Sequence, residues 1–329
     1  MNNKDLTISI VSYNTKSLLK DCLNSVYKNT KGINYEIIVV DNNSNDDSAG
    51  MVEKEFPRVI LIRNKENVGF AKANNQAFLI SRGKYFLLLN SDTIVLSHSI
   101  ERLVEFMDSH PEAGVVGCKL FYPDGSVQPW ACISSNVWSS LWLALFGLFN
   151  IKRLLPDPRL RRFLGKYFRG IVGKSVDSYL SHYWDHRPVQ EVDQVSGACL
   201  LARRSVIEEI GLLDENFFMY GEDVDCCIRI KQKGWKVYLL SDIKVIHYTS
   251  QSFKEASYHS LFQRYKSMYY FFEKHYGRKA VTLLKILVIS SMLTKGAFLL
   301  LTYLLPNKRE ESKMRLKSGF DLIKFSINV

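Results

Sequence analysis

Residues 6–44, LTISIVSYNTKSLLKDCLNSVYKNTKGINYEIIVVDNNS, carry the pattern that decides the fold. Two apolar, β-branched runs, at 6–13 and 35–41, flank a segment in which leucines, Cys22 and Val26 recur at helical spacing. A strand, an amphipathic helix and a second strand in this order predict a βαβ unit, and therefore a parallel pair of strands.

The same alternation continues along the chain. Further strands are predicted at 59–63 and 85–90, and a helix at 100–109. Another helix is expected to begin near Gly69, with Asn67 as its cap. Its buried side would consist of Phe70, Ala73, Ala77 and Ile80. After residue 195 the sequence predicts a strand at 196–204, a helix, an acidic turn within 221–235, and two strands at 236–240 and 244–248. The alternation indicates an α/β fold whose parallel sheet is covered on both faces, with ligands bound at the carboxyl ends of the strands.

Composition and charge narrow the function classes. With 47% hydrophobic and 23% charged residues, the 329-residue chain is expected to fold over most of its length. The net charge of +11 indicates attraction to a nucleotide substrate, acidic lipid headgroups or nucleic acid. Nucleic acid is the weakest of the three, because the sequence has no basic run with interleaved aromatics, zinc-finger spacing or RNP-like motif. Six cysteines without paired spacing, and an N-terminus without a signal-peptide pattern, favour a cytoplasmic chain.

Two regions depart from the sheet pattern. Residues of about 123–193 concentrate tryptophans and arginines, which is typical of an insertion into a main domain formed by residues 1–250. Residues 251–329 are predicted to form a helical, membrane-associated region, because the apolar run at 280–306 would be about 39 Å long as a helix. Two lysines interrupt that run, so an in-plane or re-entrant helix pair is at least as consistent with the sequence as a span.

Two further apolar stretches support the expected contact with a membrane surface. The last predicted helix places Leu316, Phe320, Ile323 and Ile327 on one face, as in a headgroup-level helix. The stretch VWSSLWLALFGLFN, at 137–150, has tryptophans suited to a membrane interface. In the alternative interpretation these apolar stretches bury one another or form the contact of a homo-oligomer.

Oxygen-bearing side chains stand where two predicted strands end. Asp41 and Asn43 follow the second strand, where a ligand's base or ribose would lie, although an aspartate there also forms an ordinary Asx-turn. Asn90, Ser91 and Asp92 end an apolar strand abruptly. Oxygen ligands in this arrangement suit Mg²⁺ or Mn²⁺ shared with the phosphates of a substrate, and the alternative is an aspartate that caps the next turn.

Two helix starts are further candidates for chemistry. The stretch NVGFAKANN, at 67–75, begins either a phosphate-binding helix or an ordinary capped one. Glu222, Asp223 and Asp225 share one helical turn, where acidic residues are common because of the helix dipole. Aromatic neighbours could raise the pKa of one of these carboxyls toward that of a general base. His247 is either a metal ligand or a core histidine.

Seven segments taken in order resemble the family 2 glycosyltransferases, particularly their bacterial rhamnosyltransferase-like branch. They are SIVSYN, VDNNS, NVGFAKANN, LLLNSD, VSGACLLARR, GLLDENFFMYGEDVDCCIRIKQKGW and VIHY, within about residues 5–250. The resemblance implies a GT-A fold, a Rossmann-like mixed sheet flanked by helices that binds nucleotide-diphospho-sugars.

The resemblance also implies where the donor binds. Val11, Tyr13 and Asp41 would contact the pyrimidine nucleoside, with Asn43 and Asn74 nearby.

The segment Asn90, Ser91 and Asp92 stands at the family's DXD signature, with Asn rather than Asp in first position. Asp92 would hold Mg²⁺ or Mn²⁺, and His247 would complete the coordination.

The remaining implied roles concern catalysis and the sugar. Asp223 matches the aspartate of the family's ED motif and would be the general base. Glu222 would shape the sugar and acceptor pocket together with the turn of Ser196, Gly197 and Ala198. Trp235 is placed among the residues that bind the nucleotide-sugar.

The expected function is therefore an inverting sugar transfer. Rhamnose from dTDP-rhamnose is the preferred donor and UDP-hexoses come next. The acceptor would be a lipid-linked saccharide of bacterial surface polysaccharide synthesis, at the cytoplasmic face of the inner membrane. A nucleotidyltransferase would instead need a glycine- and lysine-rich loop after the first strand, and residues 9–17 contain no glycine. The third hypothesis is an inactive nucleotide-sugar-binding membrane scaffold, which the complete set of Asp41, Asp92 and Asp223 disfavours.

Overall fold

A computed structural model describes residues 4–128, 188–249, 257–303 and 309–328. These residues divide into two units, one holding the described residues up to 249 and the other those from 258 onward. Most of the expected insertion at 123–193, including the tryptophan-containing stretch at 137–150, lies outside the described residues.

The first unit contains nine strands and six helices among its described residues. The strands are β1 (Lys4–Ser12), β2 (Tyr35–Asp41), β3 (Ile60–Arg63), β4 (Gly83–Asn90), β5 (Thr93–Val95), β6 (Ala113–Phe121), β7 (Val189–Glu191), β8 (Cys199–Arg203) and β9 (Lys236–His247). The helices are α1 (Lys16–Asn29), α2 (Ser48–Glu55), α3 (Phe70–Ile80), α4 (Ser99–Ser109), α5 (Arg204–Ile210) and α6 (Glu222–Gln232).

All nine strands form one mixed sheet. Its order is β3-β2-β1-β4-β8-β6-β9-β5, with β7 paired to β9. The first four strands in that order are parallel, and β8 is antiparallel to both β4 and β6. The sheet therefore combines a parallel half, as expected from the βαβ pattern, with a mixed half.

Helices cover both faces of the sheet, which explains why a strand such as β2 is apolar on both of its sides. In β2, Ile37 and Val39 belong to one core cluster, whereas Ile38 and Val40 belong to the cluster on the opposite face. A strand buried on both sides has no polar face, so its sequence is a continuous apolar run.

The structure corrects several sequence predictions. Ile80 is 46% exposed because Phe78 takes the buried position in the last turn of α3 and packs edge-on against Phe86. Asn67 does not cap the helix, since its Oδ1 accepts a hydrogen bond from the N–H of Gly69, the N-cap residue. The two strands expected at 236–240 and 244–248 are one strand, β9, in which a register shift opposite Cys118 accommodates the intervening residues.

The second unit is helical in its described part. Its helices are α7 (Ser257–Tyr276), α8 (Arg278–Tyr303) and α9 (Arg309–Asn328). The hydroxyls of Tyr269 on α7 and Ser326 on α9 lie 2.7 Å apart, and the rings of Phe262 and Phe325 pack edge-on. In α9, Leu322 and Ser326 are buried, whereas Phe320 and Ile327 of the predicted apolar stripe are 68% and 67% exposed.

One helix among the described residues is long and apolar enough to cross a membrane. The candidate stretch is Arg278–Ala297 of α8, with a mean hydropathy of 1.5, and only 17% of its most apolar window is buried. Its large exposed side chains, Ile286, Leu293 and Leu300, recur every seven residues and therefore form one stripe along α8.

Candidate active site

Three neighbouring strands bring the predicted donor-binding residues to one edge of the sheet. In the parallel register, Ser12 of β1 lies opposite Asp41 of β2, and Val11 lies opposite Asn90 of β4. With about 4.8 Å between strands, Asp41 and Asn90 are roughly 10 Å apart across β1. The carboxyl ends of these strands thus form a single polar edge.

Asp41 offers an unused acceptor at this edge. Its Oδ2 accepts a hydrogen bond from the backbone N–H of Ser44 at 3.0 Å. Its Oδ1 is buried and has no hydrogen-bond partner within the described parts of the chain. A buried carboxylate oxygen without a partner is costly, so a ligand N–H or O–H is the expected complement. Tyr13 is 37% exposed beside the edge, and Asn43 is exposed, with a left-handed φ of 64°.

Asp92 and His247 lie in contact because β5 and β9 are antiparallel neighbours. Thr93 is paired with His247, and the N–H of Tyr248 donates to the carbonyl of Asp92 at 2.9 Å. This pairing leaves Asp92 Oδ1 3.2 Å from His247 Nε2. The side-chain nitrogen of Asn90 also lies 3.2 Å from His247 Nε2.

The donor set formed by Asp92 and His247 fits a divalent cation. A carboxylate oxygen and an imidazole nitrogen converge, and both side chains are about nine-tenths buried. Over the ranges that the structure describes, no third His, Cys, Asp or Glu joins them. Substrate oxygens or water would therefore complete the coordination, as is usual for Mg²⁺ or Mn²⁺ shared with phosphates. Ser91 does not contribute to this pair, because its Oγ accepts a hydrogen bond from Thr15 inside the fold at 3.0 Å.

Glu222 and Asp223 are the first two residues of α6, and both are buried. Asp223 accepts backbone hydrogen bonds at both oxygens, from Gly197 N–H at 2.9 Å and from Val224 N–H at 2.8 Å. Glu222 Oε2 has no hydrogen-bond partner among the described residues.

Burial raises the pKa of both carboxyls, and for Glu222 the neighbouring charge of Asp223 raises it further. The two N–H donors favour the ionised form of Asp223. Asp223 is thus the carboxyl of the pair that ionises first, and Glu222 retains its proton to higher pH.

The turn of Ser196, Gly197 and Ala198 connects the acidic pair to the rest of the edge. The carbonyl of Ala198 accepts a hydrogen bond from Asn90 N–H at 3.0 Å, while Gly197 donates to Asp223. A Cβ on Gly197 would lie 3.4 Å from Asp223 Oδ2, so this position brings backbone close to the carboxylate. The structure therefore connects Asp223 to Asn90 through the backbone of Gly197 and Ala198, while Asp92 and Asn90 contact His247 directly.

A second set of contacts ties the start of α3 to the loop before α6. Phe70 N–H donates to Phe218 O at 2.7 Å, and both amide atoms of Asn75 hydrogen-bond the backbone of Leu213. The N–H of Phe70 is consequently used within the protein. This N–H is therefore not available to a phosphate at the start of α3.

Two predicted site residues do not reach this edge. Asn74 is buried with its Oδ1 bonded to Ser9 Oγ and its Nδ2 bonded to Phe70 O, so its amide serves the fold. Trp235 follows the C-terminal end of α6, the end opposite to Asp223, and its Nε1 donates to Glu209 at 2.9 Å. Trp235 therefore contributes no aromatic surroundings to the acidic pair.

The structure also identifies polar residues near the edge that the sequence analysis missed. The side-chain amide of Asn42 donates to Gly69 O at 3.1 Å, and the Oδ1 of Asn42 accepts from Asn64. Gln128 is buried against His247, with its Oε1 3.0 Å from His247 Nδ1. A sequence signal for Gln128 exists in the preceding YPDGS, a turn-forming stretch that sends the chain back along β6.

Comparisons with known proteins agree with this architecture. The model of "Glycosyl transferase family 2" matches residues 7–166, and that of "Glycosyltransferase like family 2" matches residues 185–261. Together they cover more than two thirds of the chain.

Among solved structures, a mannosyltransferase from Pyrobaculum calidifontis, in complex with GDP-mannose and Mn²⁺, has a TM-score of 0.55 at 13% identity. The likeness covers 98% of this chain and 88% of that one.

Two curated relatives have informative names. One is an N-acetylglucosaminyl-diphospho-decaprenol L-rhamnosyltransferase of Mycobacterium tuberculosis, 24% identical over 267 residues, covering 73% of this chain and 76% of the relative. The other is an O-antigen biosynthesis protein of Myxococcus xanthus, 26% identical over 239 residues. That match covers 71% of this chain but only 16% of the length of the Myxococcus protein.

The mixed sheet flanked by helices has the GT-A fold, and the two family models make the class of protein a glycosyltransferase. Within that class, the chain belongs to glycosyltransferase family 2. Its place in the family confirms the fold and the enzyme class expected from the seven sequence segments.

Proposed function

We propose that the chain is an inverting glycosyltransferase that moves a sugar from a nucleoside diphosphate to a saccharide acceptor. The observation that carries the proposal is the convergence of Asp41, the Asp92–His247 pair and Asp223 at one sheet edge. Neighbouring strands and the turn of Ser196, Gly197 and Ala198 link these groups.

The nucleoside end of the donor binds beside Asp41 in this proposal. The free Oδ1 of Asp41 accepts the imide N–H of a uracil or thymine ring, and Val11 and Tyr13 contact the same nucleoside. Asn43, exposed next to Asp41, contacts the ribose side. A pyrimidine is favoured because its imide supplies a donor that matches the unpartnered acceptor.

The diphosphate lies between the nucleoside and the acidic pair. Asp92 and His247 hold a divalent cation there, with Asn90 alongside. When bound, that cation offsets the charge that develops on the departing diphosphate. The Mn²⁺ in the complex of the Pyrobaculum mannosyltransferase supports this use of the site.

Asp223 acts as the general base on the acceptor. Its carboxylate removes the proton from the acceptor hydroxyl as that oxygen attacks the anomeric carbon, and one displacement inverts the anomeric configuration. The raised pKa of Asp223 brings it closer to the working pH than that of an exposed aspartate. Glu222 and the turn of Ser196, Gly197 and Ala198 shape the pocket for the sugar and acceptor.

The relatives support a rhamnosyl donor and a lipid-linked acceptor. The mycobacterial relative is named for rhamnosyl transfer to a decaprenol-linked sugar, and the Myxococcus relative for O-antigen biosynthesis. We therefore favour dTDP-rhamnose as donor, UDP-hexoses next, and a role in bacterial surface polysaccharide synthesis.

The second unit supports work at a membrane, which we place at the cytoplasmic face of the inner membrane. The exposed stripe of Ile286, Leu293 and Leu300 on α8 offers apolar surface to lipid. Vesicles with anionic headgroups should co-float with the full chain, given its net charge of +11. Replacing the three stripe residues by serine should reduce the floated fraction severalfold, and an unchanged fraction would contradict this membrane contact.

A donor screen tests the catalytic proposal. The full chain is incubated with dTDP-rhamnose or UDP-hexoses and a lipid-linked saccharide, and released nucleoside diphosphate is measured with and without Mn²⁺. We expect metal-dependent release with one pyrimidine donor. Binding of the donor without release in any combination would favour the inactive scaffold instead.

A further inference from the structure

Gln128 is held against the imidazole of His247 by the chain reversal that follows β6. Gly125 N–H donates to Tyr122 O and Tyr122 N–H donates to Ser126 O, closing a tight turn. The chain then runs back along β6, where Gln128 N–H donates to Leu120 O at 2.9 Å. Because β6 is paired with β9, this reversal brings Gln128 next to His247.

The orientation of the Gln128 amide is determined by its contacts. Its Nε2 donates to two backbone carbonyls, those of Phe121 at 3.3 Å and of His247 itself. A carbonyl oxygen in place of that nitrogen would face two acceptors, so the amide cannot be reversed. The Oε1 of Gln128 therefore points at His247 Nδ1, 3.0 Å away.

This orientation determines which nitrogen of His247 carries the proton in the neutral ring. An amide oxygen only accepts hydrogen bonds, so Nδ1 must be the donor. The lone pair is then on Nε2, the atom that lies 3.2 Å from Asp92 Oδ1 and 3.2 Å from the Asn90 amide nitrogen. A hydrogen bond at one ring nitrogen is the usual means of preparing the other for a metal ion.

We infer that Gln128 is a positioning residue that fixes His247 in the tautomer able to coordinate a cation through Nε2. The inference rests on the proposed metal role of Asp92 and His247. It adds a residue outside the seven family segments, and it assigns the function to the acceptor oxygen of Gln128 rather than to its bulk.

Two variants of similar size separate the acceptor from the packing. Gln128→Glu keeps an oxygen opposite Nδ1, and in its protonated form its hydroxyl replaces the amide as donor to one of the two carbonyls, whereas Gln128→Leu loses both the acceptor and the donor. Loss of an outer-sphere partner of a metal ligand weakens metal affinity by about 10- to 100-fold. We expect that loss for Gln128→Leu, and affinity within about threefold of the unchanged chain for Gln128→Glu.

Mn²⁺ is titrated into the full chain in the presence of saturating UDP or dTDP. Binding is measured from the electron paramagnetic resonance signal of the Mn²⁺ that stays free. Gln190→Leu is the matched control, because Gln190 is also buried but its amide nitrogen bonds Ser241 on β9, away from His247. That control should leave Mn²⁺ affinity unchanged. Equal weakening by Gln128→Glu and Gln128→Leu would assign Gln128 to the scaffold and overturn the inference.

A His247→Ala variant separates this inference from the proposed function. If it binds Mn²⁺ as tightly as the unchanged chain, the metal site itself is wrong. If it binds weakly while Gln128→Leu binds normally, only the role of Gln128 is wrong.

Nitrogen-15 spectra of histidine-labelled protein with bound Mg²⁺ and UDP supply a readout that is independent of the measured affinity. We expect the Nδ1–H form for His247 and its loss in Gln128→Leu. An Nε2–H ring in the unchanged chain would refute the inference.

Discussion

Replacing Asp223 with asparagine tests the assignment of the general base and has a cost that can be worked out from the structure. Two backbone N–H groups, of Gly197 and Val224, point at separate oxygens of Asp223. Asparagine accepts at only one of these atoms, and its NH₂ group would face the other N–H. An unsatisfied buried donor costs about 1–3 kcal/mol, and removal of the buried charge offsets part of that cost, so Asp223→Asn should lower the free energy of unfolding by no more than this amount.

The catalytic loss should be larger than this structural cost. Removing a general base lowers turnover by about 10² to 10⁴, which corresponds to roughly 2.7–5.4 kcal/mol of activation free energy. The assay is metal-dependent nucleotide release at saturating donor, with donor affinity and thermal unfolding measured on the same preparation. Donor affinity should change little, because Asp41, Asp92 and His247 are untouched.

Glu222→Gln is the matched control, since it removes a carboxyl from the adjacent residue. We expect its turnover to stay within about tenfold of the unchanged enzyme, an effect of about 1.4 kcal/mol or less. If the Asp223→Asn variant retains more than a tenth of the turnover, Asp223 is not the general base. Equal losses in the two variants would mean that the acidic pair cannot be divided into a base and a neighbour.

Three further predictions concern stability and donor binding. Glu222→Gln should become increasingly more stable than the unchanged protein as pH rises above the ordinary glutamate range. The reason is the raised pKa of Glu222, because the folded unchanged protein keeps a proton there that its unfolded state releases. Melting temperatures of the two proteins that stay parallel from pH 4.5 to 8 would contradict this. Asp41→Asn should raise the donor KM about 10- to 100-fold with little change in kcat, since its unpartnered Oδ1 is the proposed acceptor for the base; an unchanged KM in steady-state kinetics would exclude that contact. Gly69→Ala should destabilise the protein more than Gly211→Ala. The two glycines have nearly the same positive φ, 86° and 83°, but a Cβ at Gly69 would lie 2.5 Å from Phe218 O, whereas a Cβ at Gly211 would have nothing within 4 Å. Equal losses of stability in urea unfolding would show that backbone strain alone matters.

The sequence predicted the parallel half of the sheet well because local patterns determine it. The bounds of β2 agree with the predicted 35–41, and β1, β3 and β4 differ from prediction by a few residues at their ends. Each of these strands is a mostly apolar run followed by polar residues, and parallel order places all such ends at the same edge. Asp41 and Asn90 could therefore be brought together without knowing any tertiary contact.

The mixed half of the sheet depends on pairings that no local pattern reveals. Strand β6 was missed because two glycines interrupt its apolar run, and Gly117 is required there since a Cβ would lie 2.6 Å from Val195. The contact of Asp92 with His247 depends on β5, a strand of three residues, pairing with β9. Family resemblance had joined these two residues, but spacing alone could not.

Consecutive asparagines show the same limit within one motif. Asn74 and Asn75 are chemically identical neighbours at the start of α3, yet Asn74 bonds Ser9 under the helix and Asn75 bonds Leu213 on the loop before α6. A rotation of 100° per residue separates their directions, and only the elements packed on each side decide their roles. Asn74 lies on the side of α3 that faces the sheet, and both of its amide atoms form hydrogen bonds within the fold.

The contacts around α3 also hold Asp223, the proposed base at the start of α6, in register with the proposed donor edge. Phe70 and Asn75 hold the loop before α6 through its backbone, while the turn at Gly197 joins Asp223 to Asn90 on β4. The start of α6, which carries the proposed base, is thus attached on two sides to elements of the proposed donor edge. Reaction geometry must be held within a fraction of an ångström, which backbone hydrogen bonds achieve better than long side chains. Substitutions at Gly69 or Asn75 are consequently expected to lower turnover without touching the substrate.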